Sequence, residues 1–433
     1  MTDERLRRMV LGRLAQLRQS EKLDREALAG LQSDGLRILA GHAARFSPGF
    51  AARLEKSGLA PKDLGDLPQL ARLEPLARKQ LQQGGDVFCR AIPETHQPTS
   101  WAETTGSSGQ PVRVMHTLVT QVEWLALTLR EHEWHKSDIA RPLASIRGTI
   151  PGVRQLDGWG PAVSLLGPSG PAMAKPSGTP AGEIAKLLAE LQPGQIVIYP
   201  TVLDRLCAHV EEHGLELKQL QRIRTIGETL RPGIRERAEQ IFGVPVTDIY
   251  STRELGLVAI QCPESGLYHA MENLIVEVLD AQGRPCDPGE EGELIVSDLR
   301  NFATPLIRYR IGDRAIAGGA CSCGRSLPTL ERVMGRVRNM VAMRDGTRGY
   351  PSLATGTFWQ HGPVNQFQFV QHALDDIEVR LGVRHSPSAE EERAMGDAIH
   401  KMLGHDFPLR FTYFDDVLPE APGGKSEEFV CLV

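Results

Sequence analysis

Four residues of this sequence have the donor chemistry of a closed metal site. Cys262 and His269 stand seven positions apart in CPESGLYH, and Cys321 and Cys323 form a Cys-x-Cys-Gly knuckle in ACSCGR. Three thiolates and one imidazole can complete a tetrahedral Zn2+ shell, and closure by four protein ligands predicts a structural role. Gly266 and Gly324 permit tight turns around it. The other reading is four unconnected residues, or reduced buried thiols. Cys89, Cys207, Cys286 and Cys431 have no partner pattern and are read as ordinary thiols. Seven cysteines in a chain of 433 residues do not make a disulfide scaffold.

Three loops have the chemistry to meet a nucleotide. Ile226-Gly227-Glu228-Thr229 follows one expected strand, and Tyr250-Ser251-Thr252-Arg253-Glu254-Leu255-Gly256 follows another. In an open α/β sheet both lie at carboxyl ends of strands, where such sheets bind ligands. Hydroxyl and guanidinium groups suit a phosphate, and a carboxylate suits its Mg2+. Helix capping by Ser251 or Thr252, with a surface ion pair, would account for the same residues. The run Thr104-Thr105-Gly106-Ser107-Ser108-Gly109-Gln110-Pro111 has the composition of a phosphate cradle, though such runs also serve as linkers. Gly424-Lys425-Ser426 is no P-loop, because the early glycine of that motif falls on Pro419.

The elements that must position these loops are readable in outline. Residues 1–85 look helical, with Met9, Val10, Leu14 and Leu17 at three- and four-residue spacing. A periodic helix follows at about 117–134, and residues 146–182 read as irregular loops with at most one short strand. Strands at 195–199, 222–226 and 244–250 alternate with helices at 201–213 and from Pro232 to near Gly243, which argues for a parallel sheet with right-handed crossovers. Segments 274–280, 292–299 and 306–310 read as an antiparallel meander. Beyond a boundary near 333–336, strands at 366–371, 376–383 and 409–414 and a helix near 389–403 suggest a small α+β domain. The predicted fold class is α/β, with a large domain over 1–334 and a small α+β domain over 335–433.

Composition narrows the function classes. Hydrophobic residues make up 41% and charged residues 24%, as in ordinary soluble globular proteins. Forty-nine basic against 54 acidic residues give a formal charge of −5, so the bulk charge that attracts nucleic acid is absent. No segment approaches the roughly 20 apolar residues of a membrane span. The first residues read as an amphipathic helix rather than a signal peptide, and a cytoplasmic enzyme is expected.

Taken in order, several segments resemble the adenylate-forming superfamily, the acyl-CoA synthetases and their relatives. Thr104–Pro111 resembles its signature loop, and Tyr250–Gly256 its aromatic-small-small-Thr-Glu-x-Gly loop. Tyr309-Arg310-Ile311-Gly312-Asp313 resembles Tyr-Arg-Thr-Gly-Asp, Gly335-Arg336 the hinge motif, and Pro419–Lys425 the C-terminal Pro-x(n)-Gly-Lys motif. The phenylacetate–CoA ligase branch is more similar still. Leu73–Leu81 is similar to its Leu-Pro-Phe-x-x-Lys-x-x-Leu segment, and Pro288–Leu299 with Pro305–Asp313 is near its consensus.

The resemblance implies an adenylate-forming fold and an enzyme that activates a carboxylate with ATP. The acyl-adenylate then passes its acyl group to a thiol, usually of CoA. By similarity, Thr104, Thr105, Gly106, Ser107, Ser108 and Gly109 would hold the ATP phosphates and Glu254 would bind Mg2+. Tyr250 would flank the adenine, with Gly227 and Glu228 lining the acyl and adenine region beside Ser251 and Thr252. Asp313 would accept hydrogen bonds from the ribose, Arg336 would contact the nucleotide, and Lys425 would stabilise charge as pyrophosphate leaves. Two positions depart from the pattern. Arg253 replaces the threonine before the glutamate, so either Thr252 supplies the hydroxyl or Arg253 meets the α-phosphate itself. Arg338 and Asn339 replace hinge aspartates, which puts the second half-reaction in question, because the small domain is expected to rotate between the two.

Trp124, Leu127, Trp159, Leu166 and Ile226, with Gly227 and Gly256, are the candidates for the acyl pocket, and the branch resemblance suggests an aromatic acid. The expected ligands are therefore a small carboxylic acid, ATP/AMP with Mg2+, CoA or a carrier-protein thiol, and structural Zn2+. Nucleic acid and membrane are not expected, and a homodimer is compatible with the sequence. Two alternatives stay open. The acceptor could be an amine or a carrier protein, or the chain could bind nucleotide without catalysis.

Overall fold

The computed structural model describes residues 3–104, 111–148, 152–156, 158–336, 339–351, 362–419 and 427–433. The chain divides into two units, one of residues 1–141, 156–171 and 247–334, the other of residues 142–155, 172–246 and 335–433. The first fourteen strands, in chain order, are β1 Thr99–Glu103, β2 Arg113–Thr117, β3 Leu143–Ile146, β4 Arg154–Leu156, β5 Ala172–Lys175, β6 Gln195–Ile198, β7 Arg222–Ile226, β8 Val246–Thr252, β9 Gly256–Gln261, β10 Tyr268–Ala270, β11 Leu274–Leu279, β12 Glu291–Asp298, β13 Tyr309–Ala317 and β14 Thr329–Arg336. A short pair, β15 Val341–Ala342 and β16 Arg348–Gly349, precedes β17 Val364–Ala373, β18 Asp376–Val383, β19 Leu409–Asp415 and β20 Phe429–Cys431.

In the first unit the strands run in the order β8-β9-β10-β14-β13-β12-β11. Pairs β8/β9, β9/β10, β10/β14, β12/β13 and β11/β12 are antiparallel. Their apolar faces form a core with Leu76, Val114, Tyr250, Leu294, Val296, Tyr309 and Ile311. The helix Asp3–Ser20 buries Val10, Leu14 and Leu17, one stripe at helical spacing, and packs against the helix Leu118–Trp134. Arg13 and Glu123 join the two helices through bonds of 2.7 and 2.9 Å. Thr117 starts the second helix as a capping box with Thr120. No described helix is long and apolar enough to cross a membrane.

In the second unit the order is β4-β5-β3-β6-β7, and β3/β5, β3/β6 and β6/β7 are parallel. Ile196, Ile198 and Ile223 share a core with Ile184 and Leu188 of the helix Ala181–Leu191 and Leu203 and Leu206 of the helix Pro200–His213. The strand-helix-strand alternation over 195–226 is the parallel arrangement expected. Proline opens both Pro200–His213 and Pro232–Phe242, where its missing N–H costs nothing. The C-terminal sheet has the order β19-β18-β17-β20. Its β18/β19 pair is parallel, and the connecting helix Ala389–Leu403 starts in a capping box of Ser388 and Glu391.

Three local expectations change. Residues 146–182 hold two strands, β4 and β5, and a short helix Pro161–Ser164, because segments this short leave little periodicity to read. The meander's third strand begins at Tyr309 rather than Leu306. Tight turns from Thr304 to Leu306 and from Pro305 to Ile307 precede it, and Arg308 takes a φ of 49°. That left-handed residue is held by its side chain, which bonds Leu73 O at 2.7 Å and Glu277 at 3.0 Å. The third change is the antiparallel pair β1/β2, registered from Thr99↔Thr117 to Glu103↔Arg113, which brackets the hydroxyl-rich loop.

Candidate active site and metal centre

Thr104 closes the base of the hydroxyl-rich loop. Its N–H donates to Val112 O at 2.9 Å, and its Oγ1 accepts from Val112 N–H at 2.8 Å. Leu76 bridges to Tyr309, donating to Arg308 O at 2.7 Å and accepting from Arg310 N–H at 3.0 Å. That bridge delivers Arg78, the first residue of the helix Arg78–Gln83, to the same place. Its guanidinium donates to Glu254 Oε1 at 2.8 Å and reaches Tyr309 OH and Thr104 Oγ1, each at 3.4 Å.

Glu254 stands in the turn between β8 and β9. Thr252 Oγ1 accepts from Leu255 N–H at 3.1 Å, and His116 Nε2 donates to Arg253 O at 2.9 Å. The turn ends at Gly256, whose φ of 74° favours glycine and where an added Cβ would lie 3.9 Å from Trp124 Cδ1. Glu254 is buried, whereas the Arg253 side chain faces solvent. Tyr250 OH, on β8, donates to Asp313 Oδ2, on β13, at 2.6 Å, and both residues are buried. Asp313 sits inside β13.

The electrostatics follow the geometry. Burial alone would lower the Arg78 guanidinium, but Tyr309 and Glu254 outweigh it and hold it above its ordinary value. Burial, with Glu254 beside it, pushes the Tyr309 phenol up, so it serves as a hydrogen-bonding group. The result is a carboxylate, a phenol, a hydroxyl and a cation converging from four chain segments at the foot of the loop.

Cys262, His269, Cys321 and Cys323 also converge, their ligand atoms all lying within 4.8 Å of one another. Cys262 Sγ and Cys321 Sγ are 3.7 Å apart, and Cys323 Sγ is 3.3 Å from His269 Nε2. Zn–S bonds of about 2.3 Å and Zn–N bonds of about 2.0 Å in a tetrahedron require roughly 3.8 and 3.5 Å, so the set fits Zn2+. His269 Nδ1 faces Leu327 O at 3.4 Å, which favours the tautomer that turns the Nε2 lone pair toward the thiols. Burial brings the imidazole down to about 4, so it is neutral, as a ligand must be. Burial opposes ionisation of Cys262, but the N–H groups of Glu264 and Ser265 outweigh it and lower the thiol. The cluster is tied to the scaffold through Trp134, which packs edge-on against His269 at 5.6 Å, bonds Glu21 at 2.8 Å and lies under Arg325 at 4.3 Å.

Comparison with known proteins agrees with this geometry. Residues 90–302 match the family described as AMP-binding enzyme. The phenylacetate–coenzyme A ligase of Thermus thermophilus is 26% identical over 383 residues, 84% of this chain and 83% of that protein. That of Escherichia coli is 25% identical over 348 residues, 76% of this chain and 75% of that protein. The chain is a phenylacetate–CoA ligase-like member of the adenylate-forming superfamily. Its fold is that of 2-hydroxyisobutyryl-CoA ligase, solved in a postadenylation state, at a TM-score of 0.72 and 18% identity over 95% of this chain and 91% of that one.

Within this family member the expected site residues fall into three groups. Thr104, Tyr250, Ser251, Thr252, Arg253, Glu254, Gly256, Asp313 and the cluster Cys262, His269, Cys321 and Cys323 all belong to the first unit. Ile226, Gly227, Glu228 and Arg336 belong to the second unit, where Glu228 Oε2 accepts from Thr201 N–H at 3.0 Å and Oγ1 at 2.7 Å. Thr105, Gly106, Ser107, Ser108, Gly109, Arg338 and Lys425 lie outside the described residues. Of the pocket candidates, Trp124 is 43% exposed and Leu166 also faces solvent, whereas Leu127 is buried. Trp159 is buried too, and its indole N–H donates to Arg141 O at 2.8 Å.

Sequence reasoning gave no role to Arg78. A signal was available, since Arg78 occupies the lysine position of the Leu-Pro-Phe-x-x-Lys-x-x-Leu segment.

Proposed function

We propose that the chain activates a carboxylic acid with ATP and passes the acyl group to the thiol of CoA. The acid's oxygen attacks the α-phosphate and pyrophosphate leaves. The CoA sulfur then attacks the acyl carbon, forming the thioester and releasing AMP. The observation that carries this reading is the convergence of Thr104, Arg78, Glu254 and Tyr309 at the base of the hydroxyl-rich loop, with Tyr250 of β8 bonded to Asp313 of β13.

In this reading Glu254 is the carboxylate for Mg2+, which when bound neutralises charge on the phosphates. Arg78 holds Glu254 in place, and Tyr309 keeps that pair dry. Asp313, fixed by Tyr250, accepts from the ribose hydroxyls. Lys425 stabilises the charge on departing pyrophosphate, Thr105–Gly109 hold the phosphates, and Arg336 meets the nucleotide. Gly227, Glu228 and Ile226 belong to the acyl and adenine region, and Arg253 or Thr252 supplies the contact to the α-phosphate. Residues 335–433 act as the domain that moves between half-reactions. The acid is aromatic, in keeping with the phenylacetate–coenzyme A ligases among the relatives. Cys262, His269, Cys321 and Cys323 hold a structural Zn2+.

The deciding experiment is a panel of carboxylic acids, including phenylacetate, benzoate and 2-hydroxyisobutyrate, assayed for pyrophosphate release with and without CoA. Acid-dependent release with CoA consumption is expected, highest with an aromatic acid. The altered hinge at Arg338 and Asn339 keeps an acceptor other than CoA, a carrier-protein thiol or an amine, as the rival reading, and release without CoA consumption would support it. Absence of acid-dependent release across the panel refutes the activity.

A further inference from the structure

The second unit contains a largely buried contact that none of the roles above uses. Arg231 stands at the end of the loop that carries Gly227 and Glu228, at the residue just before the helix Pro232–Phe242. Its Nη2 donates to Glu428 Oε1 at 2.5 Å, with both side chains less than one-fifth exposed. Glu428 is presented by an ordered edge. Its carbonyl accepts from Phe369 N–H at 2.8 Å, and Gln368 Nε2 donates to Glu427 O at 2.9 Å. The next residue, Phe429, is in parallel register with Phe369. A second contact grips the same loop from the other side of the sequence. Gly335 has a φ of 90°, and a Cβ there would lie 2.6 Å from Thr229 Oγ1.

We propose that Arg231 and Glu428 are a positioning pair for the adenylation half-reaction, seating the last strand of the chain on the Gly227–Arg231 loop. The proposal rests on the activity inferred above, in which Lys425, three positions before Glu428, acts on pyrophosphate. A lysine that must meet one phosphate oxygen needs its flanking chain fixed. An exposed pair would contribute little to that, whereas a largely buried one fixes geometry.

The surroundings of Glu428 suit a contact that forms and releases. Asp204 of the helix Pro200–His213 and Glu228 of the loop face it with like charge, against Arg231. Asp204 is itself paired with Arg237 at 2.7 Å, and Arg205 lies near Glu228. Burial, with Asp204 and Glu228, brings the Glu428 carboxyl up to about 7 despite Arg231. Arg231 can donate to the carboxyl in either protonation state, so the contact persists near neutrality without becoming a permanent clamp.

The test separates the half-reactions. Arg231→Ala, Glu428→Ala and the exchange Arg231→Glu with Glu428→Arg are compared with wild type. One assay is ATP–pyrophosphate exchange with phenylacetate, or the panel acid of highest rate. The other is CoA-dependent consumption of that acid's chemically prepared acyl-adenylate. Each single variant should lower exchange by at least about tenfold while the thioester step changes by less than about threefold, and the charge exchange should recover most of the loss. Equal losses in both steps, unchanged exchange, or no recovery on charge exchange overturn the proposal. Amide hydrogen exchange over 427–431 in nucleotide-free protein gives an activity-independent measure, and faster exchange is expected in Arg231→Ala. If wild type is inert to every acid, the inferred activity falls. Unchanged protection at 427–431 would then refute the contact separately.

Discussion

Replacing Arg78 by methionine removes a cation from a buried carboxylate while keeping most of the side-chain volume. Glu254 is only 4% exposed and Arg78 22%, and their charged atoms are 2.8 Å apart. At an effective dielectric of about 20, charges at that separation attract by roughly 6 kcal/mol before desolvation is subtracted. Removing one partner of a buried pair typically costs about 3–5 kcal/mol. Because Arg78 keeps part of its surface in water, the low end, about 3 kcal/mol, is the expected loss. At about 2 °C per kcal/mol for a large chain, the melting temperature should fall by about 6 °C. If the same positioning acts on the transition state, about 3 kcal/mol corresponds to roughly a hundredfold fall in acid-dependent ATP–pyrophosphate exchange. Arg78→Lys should recover more stability than rate. A point charge can neutralise Glu254 but cannot also span Tyr309 and Thr104 as a planar fork does. Thermal melting and exchange kinetics on the three proteins decide the matter. An Arg78→Met enzyme within about 1 °C and about twofold of wild type would refute the reasoning. A lowered melting point with an unaltered rate would reduce Arg78 to a scaffold residue.

Tyr250→Phe deletes the 2.6 Å bond to Asp313 and loosens the proposed ribose acceptor, so the KM for ATP should rise about tenfold in initial-rate kinetics. A normal KM would detach the pair from nucleotide binding. Protein purified without added zinc should carry about one equivalent of metal, and Cys321→Ser should lose more than about half of it. Less than half an equivalent in wild type, unaltered by the substitution, excludes the site. Burial, with Glu123 nearby, raises the Asp298 carboxyl from 3.8 to about 7. Since its folded value lies above its unfolded one, the protonated form favours the fold. Its contribution is complete below the unfolded value and is lost as pH rises through about 7. Denaturation midpoints should therefore fall from pH 6 to pH 8, and Asp298→Asn should flatten that slope. An identical slope in the variant would show that another group titrates.

The parts of the fold legible in the sequence are those fixed locally. Strand β7 is bounded as its residues suggest, and the helices Pro200–His213 and Pro232–Phe242 start at prolines and stop at Gly214 and Gly243. The Cys262, His269, Cys321 and Cys323 cluster was legible because thiols and imidazoles are rare and stand at short spacings. The β1/β2 pair was not, because its register joins residues on both sides of a loop without a strong alternating pattern. Nor was Trp124 placed by periodicity. The helix Leu118–Trp134 buries Val122, Glu123, Leu125, Ala126, Leu127 and Leu129, so it is covered on most sides and no single apolar stripe marks its free edge. Arg78 is the extreme case, since its partners lie 26, 176 and 231 positions away. The Leu73–Leu81 segment marks the position of Arg78 but does not encode which distant groups it meets.

The buried arginine–glutamate pairs show how this chain separates scaffold from site. Arg130 with Glu272 is fully buried at both ends, Arg308 is 4% exposed beside Glu277, and Arg13 is 12% exposed beside Glu123. These pairs join the N-terminal helices and the antiparallel sheet, where nothing has to exchange. Of these five arginines, Arg78 and Arg231, at 22% and 19%, are the more exposed, and they stand beside the two loops proposed to meet the nucleotide. Breaking a pair sealed from water leaves an uncompensated charge, at several kcal/mol. A pair at the edge of solvent can give up its partner to water or to a phosphate at lower cost. Among these five pairs, the two with the more exposed arginines stand beside loops and the others lie within the helices and the antiparallel sheet.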